Sequence, residues 1–371
     1  MYLKKLSLIN FKNYSELELN FSSKINCFIG RNGVGKTNLL DAVYYLSMCK
    51  SYLNPIDIQN IKYEEDFFVI QGEYERNEKD EDIYCGLKRT KKKQFKRNKK
   101  EYQKLSDHIG LLPIVMISPL DNNLILDGSE ERRRFMDSVI SQYDKDYLEN
   151  LIRYNRALAQ RNKLLKDFYL TRGFDPETID IWDEQLIILG EKIHLTRVKF
   201  VEELIPIFQD YYNRISENRE KVELVYESQL FEGEYRELLK AAIDKDRAVQ
   251  YTSVGVHKDD LILSLNGFPM KRAGSQGQQK TYLVSLKLAQ FDFMKKINGF
   301  NPILLLDDVF DKFDTQRVRK MIELVAEHHF GQIFITDTNQ DRLEPILREI
   351  DIPHSLFEIE SNGNLIVKKV E

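Results

Sequence analysis

The chain has 371 residues, 42% hydrophobic and 31% charged, with a formal net charge of -4. That length supports a real core and two lobes, and apolar residues throughout exclude a disordered chain. The longest apolar stretch, Leu111 to Ile117, contains a proline and falls well short of the ~18 residues a membrane span needs, so no membrane association is expected.

The first residues, MYLKKLSLINF, alternate like a strand and lack the continuous apolar run of a signal peptide, which points to a cytoplasmic protein. Leu3, Leu6 and Leu8, then Leu17, Leu19 and Phe21 beyond Asn13, predict two strands paired as a hairpin. Ile25 to Ile29 is a short buried strand. Leu39, Leu40, Val43, Tyr44 and Leu46 then recur at helical spacing. Between strand and helix lies Gly30-Arg31-Asn32-Gly33-Val34-Gly35-Lys36-Thr37, which fits G-x-x-x-x-G-K-T. In that context the glycines let backbone N–H groups face phosphate oxygens, and the helix N-terminus adds its dipole. Lys36 is expected to reach the β- and γ-phosphates of ATP, and the Thr37 hydroxyl to bind Mg²⁺.

Strands are expected at Phe67 to Tyr74 and Ile83 to Leu87. Between Lys88 and Lys100 nine of thirteen residues are Lys or Arg, interrupted by Phe95. This run is either a DNA-phosphate contact or a solvated hairpin. From about residue 130 the period changes. Phe135, Val139 and Ile140, then Leu148, Leu151, Ile152 and Leu158, then Ile187 to Ile205, predict a helix-rich block to about 250. The final third returns to α/β, with strands at Ile303 to Leu306 and Ile333 to Ile335 and a helix carrying Val318, Met321, Ile322 and Val325 between them. Cys27, Cys49 and Cys85 have no metal-ligand spacing and read as reduced thiols. The expected fold class is α/β: a P-loop ATPase lobe built from both chain ends, residues 1–117 and 252–371, with a mainly α-helical lobe, 118–251, inserted.

The distant motifs choose the class of nucleotide enzyme. Pro302 to Asp308 has four apolar residues followed by two carboxylates and resembles a Walker B strand. Placed beside the phosphate-loop strand, Asp307 would hold the Mg²⁺ water shell, and Asp308 would polarise the attacking water. Gly274-Ser275-Gln276-Gly277-Gln278 resembles the ABC signature L-S-G-G-Q at Ser275, Gly277 and Gln278. A second helix start of this kind would not serve the same nucleotide within one chain. In the ABC family it comes from a second subunit, so an ATP-dependent homodimer is implied. Asp314 falls where ABC proteins carry the D-loop Asp. The switch position after Ile333 to Ile335 reads Thr336-Asp337-Thr338, with no histidine, so slow or stimulated hydrolysis is expected.

Over essentially its whole length the chain resembles the RecF family. The resemblance rests on Leu8 to Tyr14, Lys50-Ser51-Tyr52, Ile117-Ser118-Pro119, Arg132 to Asp137, Tyr154-Asn155, Gln160 to Lys166, and Gly255-Val256-His257-Lys258-Asp259-Asp260, where the family usually has proline at the second position. It implies ATP binding with dimerisation, binding of double-stranded DNA near single-strand gaps, and slow DNA-stimulated hydrolysis. It also implies action with RecO and RecR in loading RecA at gaps covered by single-strand-binding protein. His257, Asp259 and Asp260 are expected to be structural, not a metal site. Arg132 to Arg134 contact DNA or solvate a helix. A Rad50- or SMC-like arm would need sustained heptads between the half-sites, and none appears. A transporter subunit would carry the switch histidine, and a monomeric kinase needs neither signature nor D-loop.

Overall fold

The computed structural model describes residues 1–216, 220–309, 330–338, 352–361 and 365–370. The chain divides into two compact units, Met1–Asp121 with Leu286–Glu371, and Asn122–Ser285. In chain order, β1 (Tyr2–Phe11) and β2 (Tyr14–Asn20) form the expected hairpin, and β3 (Ile25–Ile29) leads to α1 (Lys36–Met48). β4 (Phe67–Arg76), β5 (Lys79–Lys88), β6 (Gln94–Arg97), β7 (Lys100–Glu101) and β8 (Ile114–Ile117) follow. The helical block holds α2 (Asn123–Leu126), α3 (Ser129–Ile140), α4 (Lys145–Thr171) and α5 (Pro176–Ser216), then β9 (Val222–Glu227) and α6 (Tyr235–Val249). Next come β10 (Asp260–Leu265), β11 (Phe268–Pro269), α7 (Met270–Ala273) and α8 (Gln276–Asn298), and finally β12 (Ile303–Leu306), β13 (Ile333–Asp337), β14 (His354–Ser361) and β15 (Leu365–Lys369).

The first unit holds two sheets. One is antiparallel in the order β2-β1-β4-β5-β6-β7, and the other runs β15-β14-β3-β13-β12-β8 with a parallel centre. Asn77 with Glu78, and Asn98 with Lys99, have positive φ, the twist that two-residue hairpin turns require. All five residues of β3 and all four of β12 are buried, as strands in a covered parallel sheet should be. α1 is buried almost all round, and Leu39, Leu40 and Tyr45 join Leu6, Phe68, Phe28, Leu305 and Phe334 in one core. Truncating Leu40 to Ala in such a core costs about 2–5 kcal/mol.

The strand that carries Asp307 does not lie beside the phosphate-loop strand. β13 pairs with β3 on one side and β12 on the other, so the neighbour expected from sequence is one strand further away. Apolar runs establish that two strands are buried, but not their order in the sheet.

The second unit contains α4 and α5 as a long antiparallel pair and a three-stranded sheet in the order β11-β10-β9. α4 starts at Asp144, whose side chain accepts from the Tyr147 N–H, and α5 has Pro176 at its first position. The unit extends past residue 251 because β10 pairs with β9 across a stretch that helical periodicity does not reveal, Asp260 opposite Glu227. The turn with Ser275, Gly277 and Gln278 therefore belongs to this unit and not to the first.

Two buried arginines hold the second unit together. Arg161 on α4 donates to Asp183, to Asp246 at 2.6 Å and to Thr252 at 3.0 Å. Arg197 on α5 donates to Asp259 and to the Val256 carbonyl, both at 2.7 Å, and to Asp137 at 2.8 Å. Removing one member of a buried charge pair typically costs about 3–5 kcal/mol, since it strands the other. Arg132 grips Asp260 with two bonds, Arg133 donates to the Asp259 carbonyl, and Arg134 pairs with Glu130 and Glu131 on an exposed face. Arg132 and Arg133 are half-buried with these partners, while Arg134 is exposed. No helix among the described residues is long and apolar enough to cross a membrane.

Candidate nucleotide site

Gly30 follows β3, and its neighbours explain its residue type. A side chain there would meet the Ile359 carbonyl oxygen at 2.5 Å. Gly33 and Gly35 have φ of 81° and 106°, the left-handed region that only glycine enters freely. Arg31, Asn32 and Gly33 are exposed, while Gly30 and Val34 are half-buried. The loop is braced from the β1–β2 turn. Asn13 donates to the Val34 carbonyl at 3.2 Å and accepts from Asn38 at 2.7 Å, and the Tyr14 hydroxyl donates to the Gly35 carbonyl at 3.1 Å. This gives the Asn13-Tyr14 pair a job that sequence alone did not state.

Lys36 is the first residue of α1 and is nearly fully buried. Its ammonium donates to the Gly30 carbonyl at 2.8 Å and the Arg31 carbonyl at 3.1 Å, so the charge lies inside the loop. The Thr37 hydroxyl donates to Asp307 Oδ1 at 2.9 Å, across 270 positions of sequence. Asp307 is buried, and burial pushes its carboxyl up to about 6, against the opposing hydroxyl bonds from Thr336 and Thr37; the charge on Asp308 adds to the rise and Lys36 counters it.

Thr336 is the functional-site residue that sequence reasoning missed. It sits on β13, the intervening strand. Its hydroxyl oxygen accepts the Asp308 N–H at 2.8 Å and lies 2.9 Å from Asp307 Oδ1 and 3.4 Å from Asp308 Oδ1. Sequence alone marks Thr336-Asp337-Thr338 only as a switch position without histidine. Asp308 has φ 45°, a conformation unusual outside glycine that Asp tolerates better than most, and it is held there by that backbone bond.

Contacts also explain the Lys50-Ser51-Tyr52 and Ile117-Ser118-Pro119 motifs. Asp41 is fully buried and accepts from Ser51 and the Tyr52 N–H, both at 2.6 Å, and pairs with Lys12. Tyr52 reaches Asp121 at 2.8 Å, which also accepts from the Ser118 N–H and pairs with Lys287. Lys12, Leu53, Asn54, Ile58, Tyr63 and Arg89 are among the residues lining an open cavity of about 550 Å³.

In the second unit Ser275 and Gln278 cap α8 reciprocally: Ser275 Oγ accepts the Gln278 N–H at 3.3 Å, and Gln278 Oε1 accepts the Ser275 N–H at 2.7 Å. Ser275 and Gly277 are exposed. The structure thus brings Lys36, Thr37, Asp307 and Asp308 together in one unit and sets Ser275, Gly277 and Gln278 at a helix start in the other. Asp314, the helix expected around residues 318–325, and His328 and His329 lie outside the described residues.

The basic run is less uniform than its composition. Lys93 turns inward, donating to Asp57 at 2.7 Å and the Cys49 carbonyl at 2.6 Å. Phe95 is core, and Arg97 pairs with Glu81. Lys88, Arg89, Lys91, Lys92, Lys99 and Lys100 are exposed on the β5–β6–β7 edge.

A phosphate loop closed by a buried acidic strand end is the site of a P-loop nucleotide-binding protein, and comparison with known proteins specifies the family. A model of the family described as RecF/RecN/SMC N terminal domain matches residues 2–354. The DNA replication and repair protein RecF of Phocaeicola vulgatus is 57% identical over 371 residues, covering 100% of this chain and 99% of that protein. The RecF of Bacteroides fragilis is 56% identical over 364 residues, 98% of each chain. A solved structure of the recombination mediator protein RecF with ATP, in the RecFOR pathway, superposes with a TM-score of 0.89 at 29% identity, covering 100% of this chain and 98% of that one. The Smc head domain of Pyrococcus furiosus gives 0.59 at 16% identity, a likeness of fold. The chain belongs to the RecF family of DNA replication and repair proteins, within the RecF/RecN/SMC group.

Proposed function

We propose that this chain is an ATP-driven DNA clamp of recombinational repair, in which two copies close around nucleotide and grip duplex DNA near single-strand gaps. The observation that carries the reading is the 2.9 Å contact between Thr37 and Asp307, beside the buried Lys36. A hydroxyl and a carboxylate are hard oxygen donors of the kind Mg²⁺ prefers, and the buried carboxyl, with its raised affinity for protons, suits a cation. Thr37 and Asp307 would hold that ion, which when bound offsets charge on the phosphate oxygens.

The remaining roles belong to the chain's own groups. Gly30, Arg31, Asn32, Gly33, Val34 and Gly35 present backbone N–H groups to ATP. Lys36 exchanges two neutral carbonyl acceptors for anionic phosphate oxygens, a stronger partner for an ammonium. Asp308 orients and polarises the attacking water, with Thr336 fixing its backbone. Ser275, Gly277 and Gln278 offer a capped helix start to the nucleotide held by the other copy, and Asp314 runs along the seam. With Thr336-Asp337-Thr338 where a switch histidine would lie, hydrolysis is slow and is stimulated by DNA. The family likeness supports cytoplasmic action with RecR and RecO, and through them with RecA and single-strand-binding protein. Arms 1–117 and 252–371 as one ATPase lobe around 118–251 remain the functional division, although β10 and the signature turn pack with the inserted unit.

The test is light scattering after size exclusion, with and without ATP and duplex DNA. ATP should double the mass of the wild-type chain and leave Lys36→Met monomeric. A wild-type mass unmoved by ATP at saturating nucleotide would remove the clamp.

A further inference from the structure

The signature turn is held by more than its own helix. Gln278 uses both ends of its amide: Oε1 accepts the Ser275 N–H at 2.7 Å, and Nε2 donates to Glu220 Oε1 at 2.5 Å. A backbone N–H can only donate and an ionised carboxylate can only accept, so these two partners fix which way the amide points. The other Glu220 oxygen accepts from the Tyr212 hydroxyl near the end of α5. Tyr212 is fully buried, with its ring 6.2 Å from Phe208 and 6.0 Å from Tyr282 of α8, and Tyr282 donates to the Glu223 carbonyl at 2.7 Å. Glu220 therefore joins the end of α5 to the first turn of α8.

We propose that Glu220 is a positioning residue for the Ser275–Gln278 turn, holding Gln278 so that Ser275 keeps the geometry in which it meets the nucleotide of a second copy. This rests on the reading of that turn as one half of a composite site. Ser275 accepts through its oxygen and keeps its own proton for a second partner. Without Glu220, the Gln278 amide loses the acceptor that orients it, the bond back to the Ser275 N–H loosens, and the exposed turn samples other conformations. A small displacement of a group that must meet a phosphate lowers the closed population without touching the opposite half-site.

The experiment uses the full chain with Glu220→Ala, Glu220→Gln, Gln278→Ala and the Glu220→Ala/Gln278→Ala pair, beside Ser275→Arg. In Glu220→Ala, ATP affinity of the monomer should hold, while ATP-driven dimerisation needs about tenfold more protein and kcat falls about tenfold with KM little changed. Glu220→Gln should recover most of the loss, because its amide oxygen accepts from Gln278 while its NH₂ donates to the Tyr212 oxygen. The double variant should be no worse than Gln278→Ala, because Glu220 acts on the turn only through Gln278. If Glu220→Ala proves too unstable to assay, Tyr212→Phe removes only the hydroxyl tie and should shift dimerisation in the same direction. A wild-type ATP-dependent mass in Glu220→Ala or Tyr212→Phe, or additive losses in the double variant, overturns the proposal provided Ser275→Arg stays monomeric. If Ser275→Arg itself dimerises, the composite-site reading fails first, and the two failures are told apart.

Discussion

The Thr37 hydroxyl lies 2.9 Å from the Asp307 carboxylate, and the Thr336 hydroxyl lies at the same distance from the same Asp307 oxygen. Two hydroxyls, one from the first turn of α1 and one from β13, thus converge on one buried oxygen, and Thr336 also braces Asp308. This arrangement separates the roles of the two acids. Asp307→Asn removes a buried charge, so ligand-free thermal stability should hold or rise, while the Mg²⁺ dependence of ATP binding is lost. Asp308→Asn keeps shape and removes the charge beside the water, so it should bind ATP, dimerise, and lower kcat by about 10²-fold or more. Turnover rates under saturating Mg²⁺-ATP, with mass measured in parallel, check both. Normal hydrolysis by Asp308→Asn would assign the water to another residue.

The basic run divides into exposed and buried cations, and the two classes should respond differently. Lys91→Gln with Lys92→Gln changes only exposed charge, so folding should be unaffected. If both touch duplex phosphates, the log–log salt slope of DNA binding should flatten by roughly 0.9 per lost contact, for every sequence alike. Lys93→Gln instead removes the ammonium that bonds Asp57 and the Cys49 carbonyl, and should destabilise the first unit by about 1–3 kcal/mol without altering that slope. Fluorescence anisotropy over a salt series and urea melts distinguish the outcomes. An unchanged slope in the Lys91/Lys92 variant returns the edge to simple solvation.

How far the sequence revealed this molecule depends on the range of the signal. Strands, helices and the phosphate loop are local patterns, and β1, β2, β3 and α1 fall where alternation, apolar runs and glycine spacing put them. Asp307 was legible because an apolar run ending in acid has a recognisable form. Thr336 was not, because its role comes from β13 lying between β3 and β12, and strand order is a tertiary property. Lys93 looks like its neighbours in sequence because composition does not record which way a side chain points. Gly255 is visible in sequence only as part of a motif, but its cause is spatial: φ is 131°, and a side chain there would meet the Tyr235 hydroxyl at 2.0 Å.

The same segment sets a pH dependence. His257 Nε2 faces the Thr252 carbonyl at 3.0 Å, so it carries the proton, and Nδ1 accepts from Tyr154 at 2.9 Å. Tyr154, having given its proton, accepts from Tyr235 at 2.9 Å. Burial lowers the imidazole from 6.5 to about 4, even though the Thr252 bond favours its protonated form. The unfolded chain therefore binds this proton more readily than the native one, and stability rises with pH across that interval. Acidifying from about 7 to 4 should cost about 3 kcal/mol through this group, with His257→Gln flattening that portion of the profile. Urea melts at several pH values, wild type against His257→Gln, measure it. Parallel profiles would show that other groups govern the acid limb.

The composite site makes the most exposed claim about mechanism, because it requires a second copy. Ser275 caps α8 in one unit, and Lys36 lies in the phosphate loop of the other. A bulky cation at Ser275 blocks approach of that helix start while leaving the subunit's own loop intact. Ser275→Arg should bind ATP as a monomer and neither dimerise nor hydrolyse. Lys36→Met leaves the turn intact and damages only the loop, so it should fail for the opposite reason. In a mixed dimer both defects fall in the same site, leaving the other site whole, with an intact loop and an intact turn. Mixing the two proteins should then restore up to about half of the wild-type turnover per mixed dimer if the sites act independently, and less if both must close together. Light scattering follows the mass and phosphate release the turnover, with nucleotide binding to each single variant as the control. Ser275→Arg that dimerises with ATP like wild type would place the nucleotide within one copy and withdraw the clamp mechanism.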